Sequence, residues 1–378
     1  MIDDLKIVSP LLPPVDVVKA HLDRIWEAEY VTNCGPVHNE LETRIGAYLG
    51  CPNTTLVANG TLALIGALLA VGVKPGTGGE VITTPYSYIA TAQAILQLGL
   101  TPVFVDVAAG SENLCPVNAR AAVTSNTVAI LPVHCYGVPC DVEAFEQLSS
   151  DAGVPVVYDA AHSFGAVHNG KSLVSYGNAA CLSFHATKVY NTIEGGAVIC
   201  ADPSADERAK RWRNFGYAGE TNIDAVGMNA KMSELHAAVG LANLDIVDSA
   251  LMQRARIMDL YRTAIADIPE LDLLPIGTNA PYCPVMVKLP GATARDTLYE
   301  HLRSNGILVR RYFYPLITDF KAFAPYAQGK QFDRAAQLAA GVICLPLHHG
   351  MQSGDVARVV AELKTGLGAT QPRETAQC

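Results

Sequence analysis

Short apolar runs rich in β-branched residues recur along the first half of the chain, at 55–58, 80–84, 102–107, 127–133, 154–158, 179–184 and 196–200. Between several of them lie stretches with helical character, at 61–70, 89–98 and 142–152. Strands alternating with helices predict an α/β domain whose sheet is mostly parallel and covered on both faces. In sheets of that kind ligands bind outside the carboxyl ends of the strands, so the residues that close each run are the first candidates for chemistry.

From 232 to about 268 the pattern changes to one long helix, with Leu235, Val239, Leu241, Leu244 and Ile246 near helical spacing. A second unit follows, with strand candidates at 283–289, 307–310 and 341–345 and helices near 293–305 and 354–366. A boundary is expected near residue 248, inside the long helix. It gives a large domain over 1–248 and a small C-terminal α/β domain over 249–378. The tail after about 368 is polar, contains Pro372 and is expected to be disordered. No internal repeat or low-complexity segment is evident.

Composition adds limits to this picture. A chain of 378 residues exceeds what one core usually serves, and with 50% apolar and 17% charged residues it has the material for a large buried interior. Thirty-six acidic against 27 basic residues leave a net charge of −9, and no Lys/Arg-rich block occurs, which excludes a nucleic-acid surface. The first six residues lack a basic segment followed by an apolar one, and apolar stretches such as 61–73 are too short to span a bilayer. A soluble, cytoplasmic protein with no membrane partner is expected. The ten cysteines form no C-x-x-C pair and the ten histidines no H-E-x-x-H pattern, so reduced, packed thiols and no metal are expected.

The candidate chemistry begins with Lys188. It closes the run Ser183-Phe184-His185-Ala186-Thr187-Lys188, which ends an apolar segment and precedes Glu194-Gly195-Gly196. Asp159 closes an earlier apolar run and opens Asp159-Ala160-Ala161-His162. A strand-end carboxylate with a strand-end lysine is what pyridoxal phosphate chemistry needs. The ε-amine can form a Schiff base with the cofactor aldehyde, and the carboxylate can hold the pyridine nitrogen protonated so that the ring withdraws electrons. Asn59-Gly60-Thr61, between a strand and an apolar helix, offers close backbone approach, a hydroxyl and helix-start N–H groups to a phosphate, with Ser183 adding a hydroxyl from the other side. Tyr88, at the start of a helix, can stack on a flat ring, and His162 can donate to a ring oxygen. Taken singly, each of these four features reads as an ordinary cap, core tyrosine or structural histidine.

Taken together they resemble one family, the sugar aminotransferases of the DegT/DnrJ/EryC1/StrS type, which belong to the fold-type-I, aspartate aminotransferase-like pyridoxal phosphate enzymes. The resemblance runs through blocks at 30–36, 59–61, 88–96, 101–106, 159–162, 183–196 and 229–234. It implies that Lys188 is the Schiff-base lysine and proton shuttle, that Asp159 pairs with the pyridine nitrogen and that Tyr88 stacks on the ring. His162 would face the ring oxygen, where relatives have glutamine or histidine. Gly60, Thr61, the Leu62 amide and Ser183 would surround the phosphate, and Asn229 would reach the phosphate of a partner subunit in a homodimer with shared active sites. Lys231 departs from the family's more usual arginine and lacks its planar fork. His185 varies among relatives and is assigned a supporting place near Lys188.

The family implies two half-reactions, in which an amino acid, expected to be glutamate, leaves pyridoxamine phosphate, and that amine then passes to a ketone on a nucleotide-linked sugar. The strings at 185–192, 229–232 and 310–315 resemble the subgroup that aminates C4 of dTDP-4-keto-6-deoxy-D-glucose. Arg310 and Arg311 would meet a diphosphate or the donor carboxylate, and the aromatics around Tyr314 would line the sugar site. Amination at C3, or of a UDP- or GDP-linked sugar, is the alternative within the family. The family's dehydratases carry histidine where this chain has Lys188. A noncatalytic sugar-binding protein on the same fold predicts loss of Lys188 or Asp159, and both are present. A dinucleotide oxidoreductase predicts G-x-G-x-x-G after the first strand, which is missing.

Overall fold

The computed structural model describes residues 4–269, 271, 279, 289, 291–327 and 329–370. Helices α1 (Val15–Ala28) and α2 (Pro36–Leu49) lead into strand β1 (Thr54–Val57). Then α3 (Gly60–Ala70), β2 (Glu80–Thr83), α4 (Ala90–Gln97), β3 (Thr101–Phe104), α5 (Pro116–Ala121), β4 (Thr127–Leu131), α6 (Val142–Ala152) and β5 (Val157–Asp159) alternate. A small hairpin, β6 (Val167–His168) and β7 (Lys171–Ser172), precedes β8 (Ala179–Ser183) and β9 (Gly196–Cys200). The strands pair in the orders β1-β9-β8-β5 and β3-β2-β4. Parallel bridges from Ile130 to Val156 and from Val133 to Asp159 join the two groups edge to edge. Only β9 runs against its neighbours, so the carboxyl ends of β1, β2, β5 and β8 share one edge of the sheet.

Alternate residues of each strand enter opposite cores, as the pleat requires. Leu56, Ile82, Tyr158, Ala180 and Leu182 join one apolar cluster, while Val57, Val81, Val157, Ala179 and Cys181 join another on the far face. Burial on both faces is why these strands read as unbroken apolar runs rather than as alternating ones. Local signals set the helix ends. Asp141 caps α6 through the Ala144 amide at 3.0 Å, and Gly153 ends it in the left-handed region at φ 64°.

The remaining helices are α7 (Pro203–Trp212), α8 (Glu234–Leu244), α9 (Val247–Ile265), α10 (Ala292–Ser304), α11 (Asp333–Gly341) and α12 (Ser353–Thr370). The long helix expected over 232–268 is thus two helices bent by 59° at Asp245 and Ile246, with Ile246 at φ −117°, ψ −3°. The segments 307–310 and 341–345, expected as strands, make only isolated bridges, Leu5 with Ile307 and Arg310 with Cys344. Their apolar residues are buried against α9, α10 and α12, so the pattern recorded burial rather than a ladder. The expected strand at 283–289 lies, Leu289 apart, outside the described residues. Helix α12 carries regular structure through Gly368 to Thr370, and the rest of the tail lies outside them. Among the described residues no single helix is long and apolar enough to cross a membrane, and no group of three or more His, Cys, Asp or Glu side chains suits a metal ion.

Candidate active site

Four strand ends converge on the sheet edge. Asp159 ends β5 and is only 5% exposed. Its Oδ2 accepts from Thr91 Oγ1 at 2.7 Å, and its Oδ1 accepts from the Ala161 amide at 3.2 Å and faces the Cys181 thiol at 3.8 Å. Burial pushes its pKa above the ordinary carboxylate value, while the Thr91 hydroxyl, the Ala161 amide, the Lys188 charge and the Cys181 thiol pull it back. The pull is incomplete, so burial still disfavours the charged form, and a further cation beside this carboxylate would lower its pKa.

Lys188 is half-buried in the turn after β8, where its amide donates to the His185 carbonyl at 2.8 Å. The segment that follows is pinned from below. Tyr190 is fully buried and donates to the Gly240 carbonyl at 3.0 Å, and Asn191 donates to the Leu11 carbonyl at 3.0 Å. The lysine therefore rises from a fixed base, and its charge acts on both Asp159 and His162.

His162 is buried, and its Nδ1 accepts the Tyr136 amide at 3.2 Å. Burial, then the nearby Lys188 charge, holds its pKa well below the usual histidine value. A neutral ring that accepts at Nδ1 carries its proton on Nε2, which makes Nε2–H its donor. The imidazole stacks on Phe313 at 6.0 Å between centroids, and Phe313 stacks in turn on Tyr136 at 5.8 Å. The Tyr86 and Tyr136 hydroxyls, 2.6 Å apart, both reach the Tyr312 carbonyl. The C-terminal segment is thereby fastened under the site. No periodicity revealed these contacts.

At the end of β1, Asn59 caps α3, and a Cβ on Gly60 would lie 2.7 Å from Ser183 Cβ. Glycine lets the helix start sit directly against the end of β8. The Leu62 amide, expected to meet a phosphate, instead donates to Asn59 Oδ1 at 2.9 Å. Asparagine at an N-cap takes that third amide as a matter of course. The Gly60 and Thr61 amides have no partner among the described residues and point from a helix N-terminus beside Ser183, a cradle that fits a phosphate. Tyr88, in the turn between the end of β2 and α4, has 62% of its surface exposed.

The other candidates lie further out. His185 is exposed, bonded to Thr187 at 2.8 Å and 3.7 Å from Glu194. Asn229 is exposed on the loop after α7, next to Ala230, whose carbonyl accepts the Ala58 amide at 2.8 Å. Lys231 donates to Asn214 at 3.0 Å and lies over the Phe215 ring, and burial lowers its pKa. Arg311 is engaged with Asp296 at 2.7 Å and stacked on Tyr299, while Tyr314 lies under the fully buried Arg295 at 4.1 Å. Arg310 is exposed and reaches the Tyr312 hydroxyl at 3.3 Å. The structure thus groups Asp159, His162 and Lys188 by direct influence and Gly60 with Ser183 by contact, and it spends Arg311 on an internal pair. Sequence reasoning missed Thr91 and Tyr136, and it put Phe313 among the aromatics of the sugar site, whereas its buried ring stacks on His162. Only Thr91 had a legible signal, a hydroxyl between two alanines at the start of α4.

A mostly parallel sheet with a buried strand-end carboxylate, a lysine on a pinned turn and a free helix N-terminus defines an aminotransferase of fold type I. The chain belongs to the DegT/DnrJ/EryC1/StrS aminotransferase family, whose model matches residues 16–364. It is 40% identical to the dTDP-4-amino-4,6-dideoxy-D-glucose transaminase of Shigella dysenteriae, over 95% of this chain and 98% of that one. It is 38% identical to the Escherichia coli protein of the same name, over 94% and 96% of the two chains. The crystal structure of DesI in the presence of its TDP-sugar product is similar with a TM-score of 0.90 at 32% identity, covering 99% of this chain and 95% of that one.

Proposed function

We propose that this protein is a pyridoxal phosphate-dependent aminotransferase that moves an amino group from L-glutamate to C4 of dTDP-4-keto-6-deoxy-D-glucose. The observation that carries the reading is the buried Asp159 carboxylate at the end of β5, which pairs in parallel with β8, the strand that leads into the Lys188 turn. The choice of sugar is supported by the 40% identity to the Shigella transaminase over nearly the whole chain.

When bound, pyridoxal phosphate supplies an aldehyde that joins to amines and a protonated ring that withdraws electrons from the substrate carbon. Lys188 would anchor the cofactor, and its freed, neutral amine would be the base that takes the α-proton of glutamate. In the second half-reaction the same amine returns a proton to C4 of the sugar. Holding one base beside both carbons supplies much of the rate. Asp159 would keep the ring nitrogen protonated, His162 would donate from Nε2 to the ring oxygen, and Tyr88 would cover the ring face. The Gly60 and Thr61 amides with the Thr61 and Ser183 hydroxyls would hold the phosphate. Leu62 is left to its cap.

A homodimer completes the site in this reading. Ile223 at 58% and Val226 at 92% exposure share a loop with Asn229, which supports an apolar face that meets a second copy and carries Asn229 to the partner's phosphate. The chain is read as two domains meeting near residue 248, supported by the separate cluster that Ile257, Tyr261, Leu302 and Val359 form. Its place is the cytoplasm. Mixing the cofactor-loaded protein with L-glutamate tests the assignment. Loss of the visible absorbance of the aldehyde form, with release of 2-oxoglutarate, is expected, and an unchanged spectrum contradicts it.

A further inference from the structure

Asp159 is carried by β5, but its carboxylate is held from a different element. Thr91, in the first turn of α4, is fully buried with its Oγ1 2.7 Å from Asp159 Oδ2. Ser87, 5% exposed and just ahead of the helix, places its Oγ 2.8 Å from Thr91 Oγ1. Each hydroxyl has one hydrogen, and a carboxylate only accepts. Thr91 therefore gives its hydrogen to Asp159 and takes one from Ser87. The chain Ser87 to Thr91 to Asp159 runs in one direction, and each donor polarises the next. The Oδ1 side is held more loosely, by an amide at 3.2 Å and a thiol at 3.8 Å, so among these bonds the one from Thr91 at 2.7 Å does most to fix the plane of the carboxyl group.

We propose that Thr91, supported by Ser87, is a positioning residue of the reaction, aiming the Asp159 carboxylate at the ring nitrogen of the cofactor. The proposal rests on the pyridoxal phosphate reading above. Tyr88 lies on the same short segment between Ser87 and Thr91, so one stretch of chain presents the stacking ring and orients the carboxylate. Burial pushes Asp159 upward, and the Thr91 hydroxyl is the largest of the influences that bring it back. Without it, more of the carboxyl group is protonated at a given pH and fewer molecules offer the ring nitrogen an anion. The loss should therefore grow as pH falls.

The test compares apoprotein of the unaltered chain with Thr91→Val, Thr91→Ser and Ser87→Ala, measuring dissociation constants between pH 6 and 8. One probe is pyridoxamine phosphate, and the other is its analogue with carbon in place of the ring nitrogen. Thr91→Val should bind pyridoxamine phosphate about tenfold more weakly, with the gap widening toward pH 6, while Thr91→Ser stays within about twofold and Ser87→Ala falls between. The carbon analogue offers Asp159 nothing and should bind all four proteins alike. Equal affinity of Thr91→Val and the unaltered protein for pyridoxamine phosphate overturns the proposal. So does an equal loss for both probes, which marks a merely structural hydroxyl. Failure of the unaltered protein to bind either probe overturns the cofactor reading itself, and this proposal with it. Should Thr91→Val not fold, Ser87→Ala decides by the same comparison of probes.

Discussion

Replacing Gly60 by alanine places a methyl group 2.7 Å from Ser183 Cβ, 2.9 Å from Ser183 Oγ and 3.3 Å from Ser183 Cα. Ordinary contacts of this kind begin at 3.4 Å, so the two elements must part by about 0.7 Å. Neither side can yield by rotating a side-chain tip. Ser183 is paired with Gly196 inside the sheet, and a Cβ on Gly196 would itself lie 2.7 Å from the Asn59 carbonyl, so the strand that carries the Ser183 Cβ has no room to retreat. The start of α3 must move, and the Gly60 and Thr61 amides move with it. Overpacking of this kind costs ~1–3 kcal/mol of stability. Displaced phosphate donors should weaken pyridoxamine phosphate binding by about 10- to 100-fold, or ~1.4–2.8 kcal/mol. Urea unfolding of the apoprotein reads the first effect, and titration with pyridoxamine phosphate reads the second. Pyridoxamine without the phosphate should bind Gly60→Ala and the unaltered protein alike. Replacing Ser183 by glycine in the Gly60→Ala background should restore part of the lost stability. A Gly60→Ala protein of unchanged stability and unchanged affinity for pyridoxamine phosphate would refute the assignment of this junction as the phosphate cradle.

Lys188→Ala should still bind pyridoxamine phosphate but lose turnover by at least ~10³-fold, since its general acid–base role is gone; near-normal turnover contradicts the role. Asp159→Asn should fold and lose most activity, roughly 10²-fold or more in kcat/KM, through the weakened electron sink. His162 stays neutral well below pH 6.5, so His162→Gln should leave the activity profile between pH 6 and 8 unchanged in shape; loss of a titration there would place a His162 proton in the reaction. Glu42 is mostly buried beside Arg213; burial is the largest single influence and pushes its pKa up, but the Arg213 charge and hydrogen bond, with His38 and the Leu56 amide, together hold it below the ordinary 4.5. A depressed carboxylate stabilises the fold above its unfolded value and loses that contribution as pH falls through the folded one. Glu42→Gln should cost ~3–5 kcal/mol near neutral pH by leaving Arg213 unpaired, and should flatten the acid limb of the urea midpoint below pH 4.5.

The large sheet was legible because its strands are buried on both faces and bounded by strong local signals. The helix at Val142–Ala152 and the strand at Gly196–Cys200 fall where the pattern puts them. The break between α8 and α9 was not legible, since Asp245 and Ile246 are both compatible with helix and neither glycine nor proline marks the bend. In the C-terminal region Ile307, Val309, Ile343 and Leu345 are buried without forming strands, and hydrophobicity alone does not separate those cases. At the site, residues with chemistry of their own announced themselves at strand ends. Those that act by contact did not. Tyr136 and Tyr312 meet across 176 positions of sequence, and nothing local to either specifies the other. The Leu62 amide had a readable fate in the capping rule for Asn59, which outweighs its nearness to the phosphate cradle.

The central claim is amination of a nucleotide-linked ketosugar at C4. It is tested most directly by incubating the protein with pyridoxal phosphate, L-glutamate and dTDP-4-keto-6-deoxy-D-glucose, with the nucleotide-sugar product weighed by mass spectrometry and its amino position read by NMR. The account predicts dTDP-4-amino-4,6-dideoxy-D-glucose, with an equatorial amine at C4. An untouched sugar in a protein whose cofactor still turns over with glutamate contradicts the substrate, and an amine at C3 contradicts the position.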